Sequence, residues 1–283
     1  MTTVTPLTSD RLPGAGSTRS PLARFAGQLR SEWTKIWSVR STIWTVISFV
    51  VVTVGLTTLL TWAVISTWDT KGVAVRNAMI TLDPVGFVLG AGIFLGQLTI
   101  CVLGVLVIST EYSTGVIRAS LLAVPKRMLM LIAKITVFAA MMVVLAEIVA
   151  FGCYYFGTLL LHSKVPVSIS DPGVIRAVVG AGLFLAVLGL FSLGIGLLIR
   201  HTAGGIATAI GIIFVMPFFT GFLPGSWGKH VDAYLPKQAG SVVYAQHANA
   251  GQLLSAWEGF GVFCLWTAVL LVAGAYLLRR RDA

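Results

Sequence analysis

Charge is scarce in this chain: Asp, Glu, Lys and Arg make up 11% of its 283 residues, and only ten residues are acidic. An ordinary soluble domain carries about 25% charged residues, so the side chains that would keep a globule in water are missing. Cysteine is scarce too. Cys101, Cys153 and Cys264 each lie inside an apolar run, without the paired spacing of a disulfide framework or a zinc site, and read as small buried hydrophobes. His162, His201, His230 and His247 are scattered along the chain with no metal-ligand spacing. A Gly-x-x-x-x-Gly-Lys-Ser/Thr phosphate loop is also lacking. The nearest Gly-Lys, Gly228-Lys229, is followed by His230, and Leu223 stands where the first glycine belongs.

What the chain has instead is hydrocarbon. Hydrophobic residues make up 57% of it and the mean hydropathy is +0.91, which points to a bilayer as solvent. Roughly 20 apolar residues cross a bilayer core, and six runs qualify: 43–65, 85–109, 128–161, 174–199, 204–223 and 257–278. They are continuous rather than alternating, so an all-α polytopic protein is expected and not a barrel. The third run exceeds one crossing and should tilt or protrude. The formal charge of +10 would suggest nucleic acid in a soluble protein, but here the charges sit between apolar runs, so we expect contact with anionic headgroups and no nucleic acid. Residues 1–28, rich in Thr, Ser, Pro, Gly and Arg, have no apolar core of a cleavable signal and read as a disordered cytoplasmic tail. Residues 29–283 then form one six-helix transmembrane unit. With the N-terminus inside, fourteen of the twenty Lys and Arg, including Arg279, Arg280 and Arg281, fall on the cytoplasmic side. That asymmetry predicts both termini inside and a multi-pass protein of the plasma (inner) membrane.

Three connections carry more information than the spans. Leu29–Trp44, reading LRSEWTKIWSVRSTIW, sets an aromatic edge (Trp33, Trp37) beside a basic one, as a helix over 29–42 lying in the inner interface would; a plain extension of the first span is the alternative. The stretch 224–256 is too polar for a crossing and too apolar for a loose loop. Together with Pro217, Gly221, Pro224 and Gly225 it predicts a break near Pro217, then short helices or a partial re-entry on the outer side. The segment 110–127 has a polar start at Glu111, an apolar middle with Val116, Ser120 and Ala123 on one side, and a Pro125-Lys126-Arg127 end. We expect a short cytoplasmic helix held between spans two and three, on which a soluble partner could push. Glu111 and Arg118 flank it; solvated charges paired locally across the loop are the alternative.

Glu147, in the third run, is the one acidic residue deep within a span. Burying such a group costs several kcal/mol, so it is a candidate contact on a substrate path or gate; a structural carboxyl, protonated or hydrogen-bonded to a neighbouring helix, is the alternative. The glycines of spans two and four, Gly86 to Gly104 and Gly180 to Gly196, suit close helix packing, with a path lining as the other option.

The acidic residue ending span two, then Tyr-Ser-Thr-Gly-Val-Ile-Arg118, a Leu-Leu pair, Pro125-Lys126-Arg127 and Lys134 resemble the permease subunits of ABC-2 type transporters, especially small actinobacterial ones. LRSEWTKIWSVRSTIW and Leu235-Pro-Lys-Gln-Ala-Gly240 resemble them as well, and the likeness runs from about residue 28. It implies that 29–44 is the interfacial connecting helix, that Glu111, Gly115, Arg118, Leu121, Pro125 and Arg127 belong to a coupling element seated in a groove of an ATP-binding subunit, and that 224–256 is an outer re-entrant element. ATP and Mg would then be bound by that partner and no cofactor by this chain. A homodimer or a heterodimer with a second permease, set among membrane lipids, would enclose the path. The activity implied is export of a small hydrophobic, lipid-linked or peptide substrate, with no enzymatic chemistry in this chain. An ATP-independent secondary transporter or channel is the alternative, with only Glu147 for an ion relay. A membrane enzyme would need His, Asp or nucleophiles clustered at one depth, and no such cluster is seen.

Overall fold

A computed structural model describes residues 21–70, 72, 83–113, 127–223, 227–247 and 251–280. Helices α1 (Pro21–Ser38), α2 (Arg40–Ser66), α3 (Pro84–Ser113), α4 (Arg127–Leu161) and α5 (Val174–Ile199) are followed by a composite α6 over Thr202–Thr220. Two short helices, α7 (Trp227–Tyr234) and α8 (Pro236–Ser241), and a 3-10 turn at Val242–Tyr244 precede α9 (Ala256–Arg280). No strand occurs among the described residues. Six helices, α2 to α6 and α9, are long and apolar enough to cross a membrane.

The helix ends lie within a few residues of the expected ones, with local differences. Helix α1 begins at Pro21, so the last eight residues of the segment read as a tail are helical. It ends at Val39, whose backbone turns extended (φ −90°, ψ 115°), and this single β-branched residue separates α1 from α2. Pro217 does not break α6. The helix widens to a π-turn over Gly211–Val215, in which the Met216 N–H donates to the Gly211 carbonyl, and then resumes through Pro217. Because proline cannot donate to the carbonyl four residues back, a local change of register keeps the helix going at small cost.

Helix α5 is the centre of the bundle, flanked by α3, α4, α6 and α9. Of its most apolar window 72% is buried, against 17% for α2 and α6 and 22% for α9, which line the outside. Helix α2 shows how a bilayer inverts the usual pattern: its buried residues are Phe49 and the threonines Thr42, Thr53, Thr57 and Thr61, while Trp44, Ile47, Val51, Leu59 and Trp62 face outward. Close approach is what the glycines provide. A Cβ on Gly104 would collide with the Gly189 carbonyl of α5, and one on Gly92 with the Thr53 carbonyl of α2.

Helix α1, the end of α3, the start of α4, the α5–α6 junction and the C-terminal end of α9 share one end of the bundle, which also carries Lys35, Lys134, Arg200, Arg279 and Arg280 and is called the basic end below. At the far end, the connection expected to hold short helices does so. Gly240 of α8 packs on Phe184 of α5 and Phe263 of α9, and the Arg176 guanidinium donates to the carbonyls of Val243 (3.3 Å), Ala245 (3.0 Å) and Gln246 (2.9 Å). The Asp83 carboxylate caps α3 through Gly86 N–H (2.7 Å) and accepts from Gln246 N–H (3.1 Å).

Candidate functional site

The densest polar structure of the described residues lies at the basic end. Glu32 and Lys35 stand one turn apart on α1, Glu111 is in the last turn of α3, and Lys134 is two turns into α4. The Lys134 ammonium donates to Glu32 Oε2 and to Glu111 Oε1, the latter at 2.8 Å. Lys35 donates to Glu32 Oε1 at 2.6 Å and lies 3.5 Å from Glu111 Oε1. Two cations thus balance two anions. The side chains of Glu32 and Lys134 are 0% and 2% exposed, so this is an interior network and not a pair of surface bridges. Burial alone would lower the pKa of Lys35, but the Glu32 and Glu111 carboxylates outweigh it and hold the value above the ordinary one.

The same turn of α3 is tied on its other side. Arg200, the C-cap of α5, adopts φ 57°, a left-handed conformation uncommon for a residue with a Cβ. Its guanidinium lies 5.1 Å above the Tyr112 ring and donates to the Leu277 carbonyl of α9 (3.3 Å). Thr202 Oγ1 donates to Ser109 Oγ at 3.0 Å, and His201 Nδ1 accepts from Gly204 N–H to cap α6. The last turns of α3 are therefore a hub joined to α1, α4, the α5–α6 junction and α9. The end of α3 and the start of α4, which flank residues 114–126, both belong to this hub.

Of the residues expected in the coupling element, Glu111 is in this hub, buried and bound to Lys134 and Lys35. The alternative of a solvated Glu111 does not hold: burial in the α1–α3–α4 seam places cations from two other helices on it. Gly115, Arg118, Leu121 and Pro125 lie outside the described residues, and Arg127 opens α4. Glu147 is elsewhere, 20 residues along α4 and so about 30 Å from its start. Its carboxyl packs on Gly182 of α5, and its Oε2 is buried without a hydrogen-bond partner among the described residues.

Sequence reasoning took LRSEWTKIWSVRSTIW and Lys134 as separate features and missed that Glu32 and Lys35 of the first meet Lys134. Lys134 falls near the start of the third run, among Leu131, Ile132, Ala133, Ile135 and Val137. An ionisable residue in such a setting needs a partner, and in a chain with ten acidic residues the choice was short. No family model and no curated protein matches the chain.

Proposed function

We propose that the chain is the membrane-spanning permease subunit of an ATP-driven ABC-2 type transporter, with the basic end and both termini in the cytoplasm. The hub at Glu111 carries this reading. A soluble ATPase has no direct hold on helices in a bilayer, so it needs a cytoplasmic segment rigidly joined to several of them, and the 114–126 segment leaves from the one place where α1, α3, α4, the α5–α6 junction and α9 are all bound together. The spread of positive charge supports the orientation, and with no phosphate loop in the sequence, ATP and Mg fall to a partner on this reading. The far-end helices α7 and α8, folded back on α5 and α9, take the part of the outer re-entrant element, and a second permease copy or a homologous chain completes the path. The direction is outward, and the substrate class is a small hydrophobic, lipid-linked or peptide molecule.

The test is co-purification of the tagged chain in mild detergent. Recovery of a phosphate-loop ATPase with the wild type, and its loss with Arg118→Glu, is the expected result. Recovery of none, even after crosslinking, overturns the proposal. The second reading, an ATP-independent transporter, draws on the partnerless buried oxygen of Glu147. In that case transport persists without ATP and follows a proton or ion gradient.

A further inference from the structure

Lys237 has no obvious business where it is. It sits on α8, and its ammonium lies 5.4 Å from the Phe94 ring centroid of α3 and 5.1 Å from that of Phe214 of α6. The two rings meet edge to face, with centroids 5.6 Å apart. Phe94 is ten residues into α3, so the ammonium lies about 15 Å along a membrane-spanning helix. Among the described residues no carboxylate or other acceptor is within bonding distance of it. The nearest candidate, Asp232, already accepts from Thr220 Oγ1 (2.8 Å) and Gln238 Nε2 (3.0 Å), and it acts on Lys237 only at longer range. Cation–π attraction offsets part of the cost of drawing a lysine away from water, but it supplies no acceptor for the three N–H groups.

The residues of α3 and α6 around the two rings are apolar and outward-facing. Phe94 and Leu95 of α3, and Val215, Met216, Phe218 and Phe219 of α6, are all exposed. A cation recessed among such side chains matches a ligand that is anionic at one end and hydrocarbon at the other. We propose that the α3–α6 seam binds an anionic phospholipid of the surrounding bilayer, its phosphate on Lys237 and its acyl chains along Leu95, Val215 and Phe218. The assignment does not depend on how transport is driven. The bound headgroup would join α8 to α3 and α6, so the lipid would act as a strut of the far-end element.

The full chain, purified in detergent, is titrated with phosphatidylglycerol and with phosphatidylcholine of the same chains, and bound lipid is counted by native mass spectrometry. The wild type should prefer phosphatidylglycerol by on the order of tenfold, as expected for a charged hydrogen bond. Lys237→Gln should lose the preference, Lys237→Arg should keep it, and Lys229→Gln, at an exposed far-end lysine, should leave it intact. An equal preference in Lys237→Gln, no preference in the wild type, or loss of it in Lys229→Gln overturns the proposal. A measurement free of any variant is photocrosslinking of wild type with a diazirine-bearing phosphatidylglycerol. Adducts concentrated on the peptides around Phe94 and Phe214 support the site. Adducts spread evenly over α2 and α9 refute it.

Discussion

Replacing Lys134 by Met removes the cation that binds Glu111 most closely, at 2.8 Å, and that also binds Glu32, while keeping the side chain's length and its apolar stem. In the wild type the network is neutral. In the variant Glu32 keeps Lys35 at 2.6 Å, but among the described residues Glu111 retains only the 3.5 Å contact with the same lysine. Breaking a buried pair by deleting one partner costs about 3–5 kcal/mol. Lys35 offsets part of this, so the lower end, about 3 kcal/mol, is expected. On the scale of domains of comparable size that is a fall in Tm of roughly 6–12 °C. The loss should be local first, because α1 is held to α4 by this contact: protease cleavage within residues 21–38 should become fast while the six spans stay intact. The double variant Lys134→Met/Glu111→Gln restores charge balance and should recover most of the loss, since a buried ionic pair can often be exchanged for neutral groups with little penalty. Thermal unfolding in detergent with limited proteolysis measures both effects. If Lys134→Met keeps the wild-type Tm and a protected α1, the network does not hold the hub together, and the argument for force transmission through it fails.

Other consequences follow from the same geometry. The folded-state pKa of Lys35 is raised, so its stabilisation is fully present below its ordinary value of 10.5 and is lost as pH rises through the higher folded value. Protection of α1 from protease should therefore be constant from neutral pH up to 10.5 and decline only above it; a decline near neutrality would contradict the ion-pair account. Gly104→Val should destabilise the α3–α5 contact by about 1–3 kcal/mol through overpacking against the Gly189 carbonyl. Gly90→Ala, where an added Cβ meets nothing within 4 Å, should leave the Tm unchanged, and equal effects of the two would sink the packing interpretation. Glu147→Gln should assemble normally and reduce transport if the carboxyl lines a path; unchanged export in reconstituted vesicles would leave it a structural group against Gly182.

The spans were legible because each is a continuous apolar run closed by residues that stop a membrane helix. Helix α5 is the clearest case, with Gly173 in the left-handed region at its start and Arg200 at its end. Subtler boundaries were hidden. Nothing in Trp37-Ser38-Val39-Arg40 marks Val39 as the break between α1 and α2, because extended and helical backbone are both open to valine, and packing of α1 on α4 decides. The α6 π-turn was hidden as well, since Pro217 signals an irregularity without saying whether the helix stops or changes register. The threonine stripe at 53, 57 and 61 was readable at helical spacing, and its meaning follows once polar faces in a bilayer are taken to point inward. The hub is the least legible part. Its strongest link joins Glu32 to Lys134, 102 residues apart, and no local pattern joins residues so distant; only the scarcity of acids could have suggested the pairing.

The central claim is that the segment between α3 and α4 is gripped by a soluble ATPase at the basic end. The most direct measurement places a photoreactive amino acid at Leu121, irradiates intact membranes from cells that contain the genomic neighbours, and identifies the adduct by mass spectrometry, with Phe222 at the far end as the control position. The account predicts an adduct with a phosphate-loop ATPase from Leu121 and none from Phe222. The contradicting result is no such adduct from Leu121, or the same one from both positions.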